Sequence, residues 1–129
     1  MPIARLARAS DLSSLISLFD VSEVSAVAQP RERAESIWQE TLAHQGVYVF
    51  VSDDHDRVAA TCMLVTAPNL LRAGRRHGFL ENVVTHPVLR GRGHGKAVVQ
   101  AALVQAWATD CHRVLMQSGR GRPPRARVL

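Results

Sequence analysis

The chain has 129 residues, of which 47% are hydrophobic and 21% are charged, and its formal net charge is +5 at pH 7. This length predicts one domain, and the composition is typical of a water-soluble globular protein. No apolar stretch has the length of a membrane span and no apolar signal segment opens the chain, so we expect a cytoplasmic protein without a membrane partner.

The first third of the chain predicts a short strand followed by two helices. PIARLA, residues 2–7, has the composition of a strand. Ser10 is a good N-cap for a helix whose apolar residues recur at helical spacing as far as Phe19. A second helix is expected over residues 30–45, because Pro30 stands near its start and Gly46 follows its end.

The middle of the chain predicts three strands. VYVFVS, residues 47–52, and RVAATCMLVTAP, residues 57–68, are rich in β-forming residues and flank a polar turn, which indicates a hairpin. After a polar connection at residues 69–78, FLENVVTH predicts a strand over residues 79–86. Pro87 ends this strand, because proline donates no hydrogen bond to a ladder.

A glycine-rich loop, LRGRGHGKAV at residues 89–98, leads into the next helix. Such a loop presents several backbone N–H groups, and the helix N-terminus adds partial positive charge, so together they suit a phosphate. It is not a Walker loop, since Arg90 stands at the first required glycine, nor a dinucleotide fingerprint, since Lys96 stands at the last. The alternative is a flexible turn that only connects strand to helix.

The last predicted elements are a helix over residues 93–110 and a strand at HRVLMQ, residues 112–117. Apolar residues at helical spacing cover most of the surface of this helix, which suits a helix that lies flat against a sheet. The expected order is therefore β-α-α-β-β-β-α-β, an α/β (α+β) fold.

The positive charge lies at the end of the chain. Up to His112 there are eleven basic and eleven acidic residues, and the excess comes from the arginines that follow, Arg113, Arg120, Arg122, Arg125 and Arg127. Proteins that bind nucleic acid usually spread basic charge over a folded face, and this tail has no aromatic residue to stack on a base. We therefore expect no nucleic-acid partner.

The cysteines and histidines predict neither a disulfide nor a metal site. Cys62 and Cys111 are far apart and lack CxxC spacing, which favours free thiols in a reducing compartment. The six histidines show no paired spacing such as HExxH. We therefore expect no metal.

The glycine loop does fit one further pattern, Arg/Gln-x-x-Gly-x-Gly/Ala, through Arg90, Gly93 and Gly95. With ENVVTHPVL before it and the apolar helix after it, this motif resembles the GNAT superfamily of N-acetyltransferases. The resemblance runs from the opening strand to about Gln117. It implies a mixed central sheet in a single domain, residues 1–118, followed by an irregular basic tail, residues 119–129.

The same resemblance implies the substrates and the residues that bind them. Acetyl-CoA would be the co-substrate, and the acceptor would be the amine of a small molecule or of a protein. In this family the strand before the loop binds the pantetheine arm, and the loop amides hold the pyrophosphate. The pantetheine residues would be Val83, Val84 and Thr85. The pyrophosphate residues would be Arg90, Gly91, Arg92, Gly93, His94, Gly95 and Lys96.

Glu81 is the candidate catalytic residue. It lies on the strand beside the implied thioester, where a carboxylate can deprotonate the amine directly or through water. A positioning or merely structural carboxylate is the open alternative. Alternation along the strand places Asn82 on the opposite face. An N–H near Val83 or Val84 would stabilise the oxyanion.

The end of the chain departs from the family pattern. Many members carry a tyrosine acid on a helix after the last predicted strand, but here Tyr48, in the hairpin, is the only tyrosine. The family's last helix and strands are expected to be missing, and the tail reads as a truncated or frameshifted end or as a native disordered segment. An acetyl-CoA-binding module with little or no turnover is thus the alternative function. An unpaired edge on the final strand also predicts either a homodimer across that edge or a marginally stable chain.

Overall fold

The computed structural model describes residues 1–118 and 125–129. Along the chain, the strands and helices are β1 (Ala4–Leu6), α1 (Leu12–Ser22), α2 (Arg31–Ala43), β2 (Val47–Asp54), β3 (Arg57–Ala67), β4 (Arg76–Thr85), α3 (His94–Ala108), β5 (Cys111–Ser118) and β6 (Arg125–Val128). The order expected as far as β5 is confirmed. Among these residues no helix is both long and apolar enough to span a bilayer.

One mixed sheet organises the described residues. Its six strands lie in chain order, β1 to β6. Neighbouring strands run antiparallel except for β4 and β5, which run parallel because α3 crosses over between them. The mixed sheet predicted from the sequence is confirmed.

Both faces of the sheet are covered, since successive strand residues point to opposite sides. Phe50 faces α3, in a core that Val98, Ala102 and Ala106 complete from the helix. Its neighbour Val51 faces α1 and packs with Leu15, Leu18, Val58 and Val84. Helices α1 and α3 therefore cover opposite faces of the sheet.

The two cysteines are separate, buried thiols, as expected. Burial in an apolar core disfavours the thiolate and raises the pKa of Cys62 to about 12. This thiol is therefore protonated, and its Sγ donates a 3.3 Å hydrogen bond to the carbonyl of Val98.

The start of α1 differs from the prediction, because Ser10 does not cap the helix. Residues Ala9–Asp11 form a 3₁₀ turn that leads into α1. The Asp11 carboxylate accepts a hydrogen bond of 2.6 Å from the backbone N–H of Arg8. Asp11 also accepts two hydrogen bonds, of 2.8 and 2.9 Å, from the guanidinium of Arg5. This ion pair holds the turn in place of a serine cap.

Strand β4 begins at Arg76, before the expected start at Phe79. Its first residues are polar, yet they pair with β3 on one side and β5 on the other. Backbone hydrogen bonding does not depend on side-chain polarity, so the basic composition of this segment concealed the strand.

The end of the chain also differs from the expected irregular tail. β6 pairs antiparallel with β5, from Leu115↔Val128 to Ser118↔Arg125. The N–H of Leu129 donates a 2.6 Å hydrogen bond to the carbonyl of Val114. The prediction of an unpaired β5 edge is therefore wrong, because pairing through the backbone needs no apolar alternation. Strand β6 also contradicts the expectation that no strand follows β5. The rest of the predicted tail, residues 119–124, lies outside the described residues.

Candidate active site

Strand β4 loses its contact with β5 halfway along its length. It pairs with β5 over residues 76–80 but stays paired with β3 as far as Thr85. At the break, Asn82 has a φ of +53° and the register with β3 shifts, which marks a β-bulge. Within the described chain, the β5-facing edge of residues 81–85 is thus left open.

The bulge interrupts the alternation of side chains along β4. Glu81 and Asn82 are both exposed, and both line the same cavity. Leu80, Val83 and Val84 line it as well, so lining the cavity does not assign a face, and the placement of Asn82 opposite Glu81 stays a prediction. Glu81 lies at the open edge of β4, where the sequence placed it.

The first cavity, here called the apolar cavity, has a volume of about 590 Å³. Its walls are α1, the connection at residues 24–28, α2 and the facing parts of β4 and β5. Phe19, Ile37 and Trp38 are its largest helical side chains. Among the described residues that line it, Glu81 carries the only charge.

The second cavity, here called the loop cavity, has a volume of about 480 Å³. Val83 lines both cavities, so the two meet at the open edge of β4. The loop cavity brings together every predicted cofactor residue except Val84, which is buried against α1, and Arg92, which is exposed outside it. The lining residues are Val83, Thr85, Arg90, Gly91, Gly93, His94, Gly95 and Lys96.

Each glycine of the loop has a geometric reason to be there. Gly91 and Gly93 have φ angles of +78° and +94°, in the left-handed region that favours glycine. A Cβ on Gly95 would lie 2.8 Å from Oγ1 of Thr85, so only glycine lets α3 approach β4 this closely. The glycines of the sequence motif therefore allow the conformation of this loop.

The loop cavity is electropositive. Arg90 and Lys96 line it and are exposed. In the part of the chain that the structure describes, neither forms an ion pair. The first N–H groups of α3 have no partner within the helix and carry the positive end of its dipole. This combination suits a phosphate group.

His94 faces the interior of the domain. Its Nδ1 lies 2.8 Å from Oγ of Ser52, and both residues are buried. The imidazole thus links the first turn of α3 to β2. The main chain of His94 is left to contact a ligand in the loop cavity. A sequence pattern could not show this contact, because it joins residues that are 42 apart.

Two further features of the site are the position of Tyr48 and the cavity wall at residues 24–28. Tyr48 is half-buried against the core beside α3 and lines neither cavity. Sequence reasoning missed the wall at residues 24–28. A signal was present, because VSAVA is small and apolar where a connection between helices is usually polar.

Comparison with known proteins gives a consistent result. A model of the Acetyltransferase (GNAT) family matches residues 12–123. A solved structure of a putative acetyltransferase from Agrobacterium tumefaciens is 36% identical, with a TM-score of 0.84 over 93% of this chain and 83% of that one.

Two glucosamine 6-phosphate N-acetyltransferases are also similar. The protein of Trypanosoma brucei brucei is 31% identical over 70 residues, 54% of this chain and 48% of that protein, so the match spans about half the length of this curated relative. The crystal structure from Arabidopsis thaliana has a TM-score of 0.83 at 20% identity, over 92% of this chain and 83% of that one. At that identity the likeness shows the fold alone.

Proposed function

The chain belongs to the GNAT acetyltransferase family, and we propose that it transfers an acetyl group from acetyl-CoA to a primary amine. The observation that carries this proposal is the junction of the two cavities at Val83. An electropositive cavity built for phosphate meets, at one open strand edge, a cavity that holds a single carboxylate. Two substrates can therefore meet beside Glu81.

The loop cavity would take the pyrophosphate of acetyl-CoA. The amides of the loop and of the first turn of α3 would donate to the phosphate oxygens, while Arg90 and Lys96 add charge. The pantetheine amides would pair with the open edge of residues 81–85, as a further strand would. This places the thioester at the bulge, next to the apolar cavity.

Glu81 would prepare the amine for attack. An ammonium group has no lone pair, so the carboxylate takes one proton from it, directly or through water. The nitrogen then attacks the thioester carbonyl, and a backbone N–H at the bulge, near Val83 or Val84, stabilises the oxyanion. As the carbon–sulfur bond breaks, the second proton of the nitrogen passes to the thiolate, which leaves as free CoA.

The acceptor is a small molecule or a protein amine. Glucosamine 6-phosphate is one candidate, because it appears in the name of the trypanosomal relative. Calorimetric titration with acetyl-CoA, followed by an assay of thiol release with several amines, tests the proposal. Absence of binding heat would contradict it, and binding without thiol release would favour a binding module.

Two further properties belong to this proposal. A reducing cytoplasm suits a chain whose two buried cysteines remain separate thiols. A homodimer would now use the outer edge of β6 rather than that of β5, since β5 is paired. Light scattering at several concentrations measures the oligomeric state.

A further inference from the structure

The walls of the apolar cavity assign a class of acceptor. Resting on the acetyl transfer proposed above, we propose that the acceptor is a primary amine on an aromatic or branched aliphatic group, with no charge beyond its own ammonium. The cavity is therefore shaped for an arylalkylamine or alkylamine rather than for a sugar phosphate.

Two aromatic side chains form the helical side of this cavity. Phe19 of α1 and Trp38 of α2 are half-buried and both line it. The indole N–H of Trp38 already donates to the carbonyl of Ala9, at 3.2 Å. Since its polar group is satisfied at Ala9, Trp38 offers the cavity ring carbons. An aromatic or branched group is the natural partner of such a surface.

Exposed apolar side chains that line the cavity also favour an apolar acceptor. Val24, Ile37 and Val83 line the cavity and are 52%, 41% and 38% exposed. These side chains come from three different elements, yet they surround one volume. An apolar acceptor would remove this surface from water on binding, whereas a hydroxylated sugar would find only Ser25, Asn82, Gln117 and Glu81 as polar side chains among the described lining residues.

The charges separate the two cavities. Among the described residues, the apolar cavity has Glu81 and no cationic side chain, while Arg90 and Lys96 line the loop cavity. A phosphate on the acceptor would need charge-assisted donors beside it. Glu81 instead suits the ammonium group of the acceptor, which becomes the reacting amine.

The test compares four amines at saturating acetyl-CoA: phenethylamine, isoamylamine, glucosamine and glucosamine 6-phosphate. We expect kcat/KM for phenethylamine to exceed that for glucosamine 6-phosphate by about 100-fold. The variant Trp38→Ala should raise the KM for phenethylamine about tenfold and leave the calorimetric affinity for acetyl-CoA unchanged.

The matched control is Trp107→Ala, because Trp107 is 48% exposed on α3 and lines neither cavity. This variant should change neither the KM for phenethylamine nor the affinity for acetyl-CoA. If Trp38→Ala does not fold, Val24→Ser replaces it, since the exposed Val24 is not needed by the core.

The outcomes distinguish this inference from the proposed function. If acetyl-CoA binds and either sugar amine is the better acceptor, the inference is overturned and acetyl transfer stands. If the cavity variants leave the KM for phenethylamine unchanged, or if none of the four amines is acetylated by a chain that binds acetyl-CoA, the inference is also overturned. If acetyl-CoA does not bind at all, the proposed function fails and the inference fails with it.

Discussion

Among the described residues that line the apolar cavity, Glu81 is the only carboxylate, so one substitution tests its role. The variant Glu81→Gln should lower kcat at neutral pH by about 10²–10⁴-fold, the usual contribution of a general base. The rate should recover partly at high pH, where the amine loses its proton without help. Thiol release measured from pH 6 to 10 gives both results.

The control for Glu81 is Asp20→Asn, which removes an exposed carboxylate of α1 that lines neither cavity. It should leave the rate and the pH profile unchanged. A Glu81→Gln variant with the same full rate and profile would assign Glu81 a structural role.

Asp11 makes stability depend on pH. Hydrogen bonds from Arg5, and then the N–H of Arg8, hold the pKa of this carboxyl below its ordinary value, against the effect of burial. A lowered folded-state pKa stabilises the fold above the unfolded value of about 3.9, and this contribution is lost as the pH falls through the folded pKa. Asp11→Asn should therefore cost about 1–3 kcal/mol at pH 7.

Urea unfolding of the wild-type protein and of Asp11→Asn at pH 7, 5 and 3 measures the difference in their free energies of unfolding. The gap in the free energy of unfolding should shrink at pH 3, because this pH lies below the unfolded pKa of about 3.9 and the unfolded wild-type chain takes up a proton there. Asp56→Asn, in the exposed turn between β2 and β3, should show no gap at any pH. An Asp11→Asn gap that is equally large at pH 3 would contradict the assignment.

The loop before α3 can be tested with two glycines of the same backbone conformation. Gly93 has a φ of +94° and lines the loop cavity, whereas Gly74 has a φ of +83°, has no atom within 4 Å of an added Cβ and does not line that cavity. A valine at either site costs about 1–2 kcal/mol of backbone strain. Gly93→Val alone should also abolish acetyl-CoA binding in calorimetry, because relief of this strain moves the loop amides that line the cavity, although the added Cβ itself lies 3.5 Å from Pro2.

Equal loss of binding in Gly74→Val and Gly93→Val would mean that strain alone is responsible. Unchanged affinity in Gly93→Val would remove this loop from the site.

The features that the sequence predicts correctly are those determined by residues close together in the chain. The helices and the strands as far as β5 follow from periodicity, and the glycine loop follows from a six-residue pattern. The bulge at Asn82 did not, because asparagine is enriched at positive φ but its presence in a β-forming run does not fix where the register shifts. The apolar cavity joins Phe19, Trp38 and Met116 from three elements, so no local pattern predicts it.

Across the whole molecule, the last residues close the core beside α3. Leu129 packs partly buried against that core, whereas Val128, next to it, is 64% exposed. Leu129→Ala should cost about 1 kcal/mol, part of the free energy of burying a leucine, and lower the Tm by about 4 °C. Val128→Ala should leave the Tm within error. Calorimetric melting of both variants checks this, and equal Tm values would mean that the Leu129 side chain does not stabilise the core.

The shared wall at Val83 also has a kinetic consequence. The loop and the apolar cavity are bounded by different elements and touch only along β4, so one substrate does not have to leave before the other arrives. In the proposed reaction, acetyl groups would then pass directly between two molecules held at once, with no acetylated side chain to carry them. Double-reciprocal plots at several fixed acceptor concentrations would accordingly intersect rather than run parallel.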